Sequence, residues 1–239
     1  MSEEFPKLSH PPLNEALIDV RLREDLPTSV LSKFRAPNGF SIAKEIRHGK
    51  FQVKMGKDKP IQAEVLAEGA LGQRYEREDG SEVVQLRRNG ITYSILKNYA
   101  GWEVLRDAAS RTWEPFLGVS GPVNVSRLAV RYINAIGIPP GADYDEYLTT
   151  GPRVPRGAPP IVTSFIQRVL VPFKEDNATA IITQTLELPA PAVLDIDVFT
   201  ECSLEGTSHD IWSRLDKLRD IADRIFFSSL TEKVIKSYL

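Results

Sequence analysis

Asp195-Ile196-Asp197 is the clearest pair of chemistry-bearing residues in the chain. In a strand, side chains two positions apart leave the same face about 7 Å from each other. Two such carboxylates, with Glu201 nearby, could hold Mg²⁺ for hydrolysis or phosphoryl transfer. The same spacing describes the solvated face of a strand whose other face is Leu194, Ile196 and Val198, and that structural reading is preferred. Arginines frame the pair. If strand parity holds, Asp19, Arg21, Arg23, Arg87, Arg127, Arg131, Asp195 and Asp197 share the outer face of one sheet, where Arg–Asp pairs across strands satisfy one another. Such a face could also receive a phosphate, a carboxylate or a nucleic-acid backbone. Arg21, Arg23, Arg87, Arg127 and Arg131 are therefore the candidate binding residues, and Asp195 and Asp197 the candidate metal ligands of the alternative.

Other chemistries find less support. Cys202 follows Glu201 and lies near Asp195 and Asp197 in sequence, where negative charge opposes thiolate formation, so it reads as a small residue ending a strand. His10, His48 and His209 lie far apart, and none has a second His or Cys at zinc-ligand spacing. Gly69-Ala70-Leu71-Gly72 lacks the third glycine of a dinucleotide fingerprint, and no P-loop is present. No cofactor is expected.

The elements that must position these residues follow from periodicity and punctuation. Ile18, Val20 and Leu22 alternate with Asp19, Arg21 and Arg23, which predicts a strand over Ala16–Arg23. Pro27-Thr28-Ser29 opens a short helix over Val30–Arg35, with Thr28 or Ser29 as its cap. Ile42–Met55 and Ile61–Tyr75 read as extended, although Ala63–Leu71 is also compatible with a helix. Asn89-Gly90 between Val83–Arg88 and Ile91–Leu96 predicts a hairpin with a type I′ turn. Trp102, Leu105, Ala109, Trp113 and Phe116 fall on one stripe of a helix over Gly101–Leu117. Strands follow at Val125–Ile136, Val162–Val171, Ala178–Leu188 and Val193–Glu201, and a long helix at Ser208–Phe227. Pro139–Pro160, with a helical turn at Tyr144–Leu148, is too long for a simple connection. It is expected either to cover the open sheet or dock a partner, or to serve as a tether.

An offset of 110 places Val130-Arg131 on Val20-Arg21, Trp212 on Trp102, Phe226 on Phe116, and Val193-Leu194 on Val83-Val84. That register predicts a duplication, with one α+β repeat in residues 1–120 and a second in residues 121–239. Joined edge to edge, the repeats would form one antiparallel sheet with both long helices on one face and Trp102 and Trp212 as their largest buried contacts. This plan resembles the saddle of the TATA-box-binding protein, an analogy of fold that carries no function.

Composition bounds the rest. Of 239 residues 42% are hydrophobic and 26% charged, enough for a core without disulfide or metal staples. The net charge of −2 gives no global field for nucleic acid or an anionic membrane. No stretch approaches the roughly 18 apolar residues of a membrane span, and the N-terminus does not read as a secretory signal. A single cysteine fits a reducing, cytoplasmic setting.

Four stretches carry a resemblance. They are His10-Pro11-Pro12-Leu13-Asn14-Glu15-Ala16; Tyr99-Ala100-Gly101-Trp102-Glu103; Arg127-Leu128-Ala129-Val130-Arg131-Tyr132-Ile133-Asn134; and Phe226-Phe227 followed by Thr231. In that order the chain resembles a sporadically distributed family of bacterial proteins of about this length and of unknown function. The resemblance implies a bacterial cytoplasmic protein and transfers no catalytic residue. The leading expectation is thus a non-enzymatic binding or interaction protein that uses the Arg-rich sheet face and the Pro-rich loop. Its partner would be a protein or a small anionic ligand, and a homo-oligomer is left open. A metal-dependent hydrolase or phosphotransferase using Asp195 and Asp197 is the alternative, with nucleic-acid binding on the sheet face third.

Overall fold

The structure, a computed structural model, describes residues 5–54, 62–159 and 162–239. Met55, Ile61 and Pro160, which bound three of the expected segments, lie outside the described residues. The fold is α+β, built on a nine-stranded sheet in the order β2-β3-β4-β5-β1-β6-β9-β8-β7 among the described residues. Its strands are β1 (Leu13–Leu22), β2 (Phe40–Lys54), β3 (Gln62–Arg77), β4 (Glu82–Arg87), β5 (Gly90–Ile95), β6 (Asn124–Ile136), β7 (Ser164–Phe173), β8 (Ala178–Glu187) and β9 (Ala192–Glu205). Each pairing in that order is antiparallel. The helical option for Ala63–Leu71 is not taken, because β3 pairs with β2 along this stretch.

Period-two alternation decides which side is dry. Ile18 and Val20 on β1, Leu128 and Val130 on β6, and Leu194, Ile196 and Val198 on β9 are all buried on one face. Two long helices cover that face: α2 (Trp102–Ser120) packs on β1 and β5, and α3 (Asp210–Ser229) on β6 and β9. Trp102 Nε1 donates to Asp216 Oδ1 at 2.8 Å and ties the helices together. Short helices α1 (Thr28–Leu31) and α4 (Glu232–Lys236) complete the set. Thr231 caps α4 through Val234 N, as its position before the helix predicts. By contrast α1 starts after Pro27 with no side-chain cap, and ends four residues before the expected Arg35.

Three further expectations need correction. The β4–β5 hairpin forms, but its turn residues are Arg88 and Asn89, neither with positive φ, and Gly90 is already the first residue of β5 at φ 144°. Gly90 is needed for a different reason, since a Cβ there would sit 2.0 Å from the Val20 carbonyl oxygen on β1. The 110-residue offset places β1 on β6 and α2 on α3, which hold matching positions beside the sheet centre. It also places β4 on β9, yet β9 adjoins β6 while β4 is separated from β1 by β5. The third block of that register therefore does not occupy equivalent places. Finally, the deepest tryptophans are Trp102 and Trp113, at 6% and 3% exposure, whereas Trp212 is half-buried. Ile211 and Leu215 are the deepest residues of this part of α3 instead, at 1% and 0% exposure.

The Pro-rich loop lies on the helix side of β7 and β8. Tyr144 packs edge-on against Phe165 and donates to the Val162 carbonyl at 2.7 Å, while Leu148 is buried against Leu230. Gln184, on the core-facing side of β8, donates to Thr150. The loop thus adds to the core beside β7 and β8, and these contacts place it away from the charged face. Among the described residues no helix is long and apolar enough to cross a membrane.

Candidate functional site

The charged residues singled out by parity do meet on the solvent side of the sheet. Asp19 is their centre, with a side chain only 7% exposed. Its Oδ2 accepts from Arg21 Nε at 2.7 Å and from Arg127 at 3.2 Å, and its Oδ1 accepts from the Thr92 hydroxyl. Arg127 continues to Asp197 at 3.2 Å and lies over the Phe199 ring, 4.4 Å from its centroid. Arg131 grips Asp195 with two parallel bonds of 2.7 and 2.6 Å, which hold its guanidinium above the usual value. Burial pushes the Asp197 carboxyl up, against the pull of Arg127 and Arg131.

The outlying arginines have neutral partners. Arg23 donates to the Ser203 hydroxyl at 2.9 Å and Arg87 to Gln85 at 2.5 Å. A cation at Asp195 and Asp197 would have to displace guanidinium groups already in place. No cluster of three or more His, Cys, Asp or Glu residues at metal-binding distance occurs among the described residues. Cys202 sits half-buried in β9, its thiol pushed up by burial and directed at the Val125 carbonyl.

A second constellation lies at the edge of the helix layer. A cleft of about 430 Å³ opens between the N-terminal arm (residues 6–13), the start of α2 and the second half of α3. Apolar rings form its walls: Trp102 from α2, and Phe226 and Phe227 from α3. Phe5 of the arm stacks on Phe227 at 4.6 Å, and Ser9 and His10 donate their backbone N–H groups to the Tyr238 carbonyl, so the arm is tied to the C-terminus.

The polar groups of this cleft come from distant segments. Tyr99 precedes α2, Tyr132 and Asn134 stand two apart on β6, and Arg219 and Asp223 stand four apart on α3. The two tyrosine hydroxyls lie 3.4 Å apart, and burial pushes Tyr99 up to about 12 and Tyr132 well above its ordinary value. Both phenols are neutral and protonated at physiological pH. Arg219 Nε lies 2.9 Å from Asp223, yet burial outweighs this attraction and raises the Asp223 carboxyl to about 6. Asn134 is 2% exposed and donates Nδ2 to the Leu194 carbonyl at 3.1 Å. Its Oδ1 accepts no hydrogen bond among the described residues.

Strand parity alone does not reveal this cleft, although the sequence of β6 carries one signal of it. Tyr132 and Asn134 continue the core-facing alternation of Leu128 and Val130, so a polar amide stands where the pattern requires an apolar side chain. Stretches far apart in the chain meet here, through Pro11 and Leu13, Tyr99 to Trp102, Tyr132 and Asn134, and Phe226 and Phe227. No protein-family model matches the chain, and no curated protein matches it.

Proposed function

We propose that the chain is a non-enzymatic binding protein whose site is the aromatic cleft between its N-terminal arm, α2 and α3. The observation that carries this reading is a concavity of about 430 Å³ with ring walls and buried polar groups converging on it. Small-molecule sites are built this way: apolar lining gives affinity, and a few placed polar atoms fix orientation. We assign the charged sheet face a structural part, supported by the mutual pairing of Asp19, Arg127, Asp197, Arg131 and Asp195. Among the described residues the cleft holds no nucleophile–base pair, and burial holds its tyrosines protonated.

The neutral naphthalene dye prodan tests the cleft, because its emission shifts to the blue in an apolar site. Wild-type protein should bind prodan with a blue shift, and Ala100→Trp, which fills the mouth from an exposed position, should lose that signal while melting at the same temperature. Equal dye binding by the two proteins, or none by either, overturns the reading.

A further inference from the structure

We infer that the cleft takes a neutral, flat ligand whose edge carries both an N–H donor and a C=O acceptor, such as a lactam or a related heterocycle. This rests on the cleft being a binding site and follows from the hydrogen-bonding needs of three of its neutral side chains, Tyr99, Tyr132 and Asn134. Tyr99 and Tyr132 bring two O–H protons and share a single contact of 3.4 Å. One hydroxyl can donate to the other, and the second proton is left without an acceptor among the described residues. Asn134, which lines the cleft, presents the opposite need: Nδ2 is used by Leu194, and Oδ1 accepts no hydrogen bond among the described residues. A ligand that leaves either group dry incurs a desolvation cost, whereas one offering an acceptor to the tyrosines and a donor to Asn134 satisfies both.

Charge narrows the class further. Arg219 lies 2.9 Å from Asp223 and donates to Asp220, which is outside the cleft lining, so its guanidinium offers an anion no free charge, and the remaining charged lining residue, Lys7, is exposed at the mouth. The start of α2 would attract an anion, but the Glu103 carboxylate lies over Gly101 and opposes one there. Neither an anionic nor a cationic ligand finds an unmatched charge in the depth of the site. The rings of Trp102 and Phe226 favour a flat partner of matching polarity.

A matched bicyclic series tests this by competition with prodan: the lactam isocarbostyril, its N-methyl derivative, naphthoate, naphthylmethylamine and naphthalene. The lactam should bind about tenfold or more tightly than each of the others, since each lacks the donor, lacks both groups or carries a charge. The double substitution Tyr99→Phe/Tyr132→Phe keeps both rings and removes both hydroxyls. It should weaken the lactam and its N-methyl derivative by about tenfold and leave naphthalene unchanged. Tightest binding by naphthoate or naphthylmethylamine overturns the ligand class while leaving the cleft as a site. Equal affinity of lactam and naphthalene also overturns the class. Failure of prodan itself to bind the cleft removes the underlying reading instead.

Discussion

Asp223 shows how burial and pairing compete at one residue. Its side chain is 19% exposed and faces Arg219 at 2.9 Å, yet desolvation prevails and raises its carboxyl from 3.8 to about 6. A carboxyl raised on folding binds its proton more tightly in the native state than in the unfolded chain. Protonation therefore favours the fold, and stability falls as pH rises from about 4 through about 6. The contribution is on the order of 2 kcal/mol after partial exposure is allowed for. Asp223→Asn has no proton to lose in this window. Thermal melts from pH 4 to 7.5 should show wild-type stability declining relative to the variant, with the variant no less stable above pH 7. A constant difference between the two across that range would reject this account. Such a site is hard to read in sequence because Asp223 follows Ala222 in the apolar stripe of α3 and looks like the first polar residue beyond it. Its partners on β6 and before α2 lie about a hundred residues away, where no local pattern points to them.

The elements themselves were far more legible, because their signals are local. Alternation over Ile18, Val20 and Leu22 sets the buried face of β1, and the stripe from Ile211 to Phe226 sets the buried face of α3. The same parity correctly gathered Asp19, Arg127, Arg131, Asp195 and Asp197 on one side. What parity does not contain is the close approach of two strands, and Gly90 illustrates the gap. The dipeptide Asn89-Gly90 suggests a turn requiring positive φ, yet the structural demand on Gly90 comes from β1 across the sheet. A methyl group at position 90 would meet the Val20 oxygen at 2.0 Å, and a φ of 144° is itself unfavourable for an L-residue. Gly90→Ala should therefore cost about 3 kcal/mol or more by forcing β5 from β1, at the middle of the sheet. Gly121 is the control, since it has φ 71° but open space around its Cα. Gly121→Ala should cost less, about 1–3 kcal/mol for the backbone alone, because φ 71° with ψ −161° is a region that glycine occupies far more readily than any L-residue. Urea unfolding of both variants measures the contrast, and comparable losses would show that the β1 contact does not dominate.

At the scale of the molecule, the junction between the halves decides whether they behave as two bodies or one. The β1–β6 ladder joins residues 13–22 to residues 125–134 in the interior of the sheet, so neither strand is an edge. Separating the halves would expose two long strand edges and strip Asp19 of Arg127. It would also open the apolar layer that runs without interruption from Leu86 and Ile95 through Val130 to Ile196. The helices add a bond across the same seam, from Trp102 to Asp216. A large apolar interface of this kind makes unfolding one cooperative event. The three tryptophans allow each side to be watched separately, with Trp102 and Trp113 on α2 and Trp212 on α3. Trp212→Phe leaves fluorescence reporting on the first half, and Trp102→Phe/Trp113→Phe leaves it reporting on the second. Within each protein, the fluorescence and circular-dichroism transitions in urea should coincide at one midpoint, because loss of either half removes an interior strand from the other. A fluorescence midpoint displaced from the circular-dichroism midpoint in either protein would show that the halves unfold independently, with the β1–β6 ladder acting only as a contact between them.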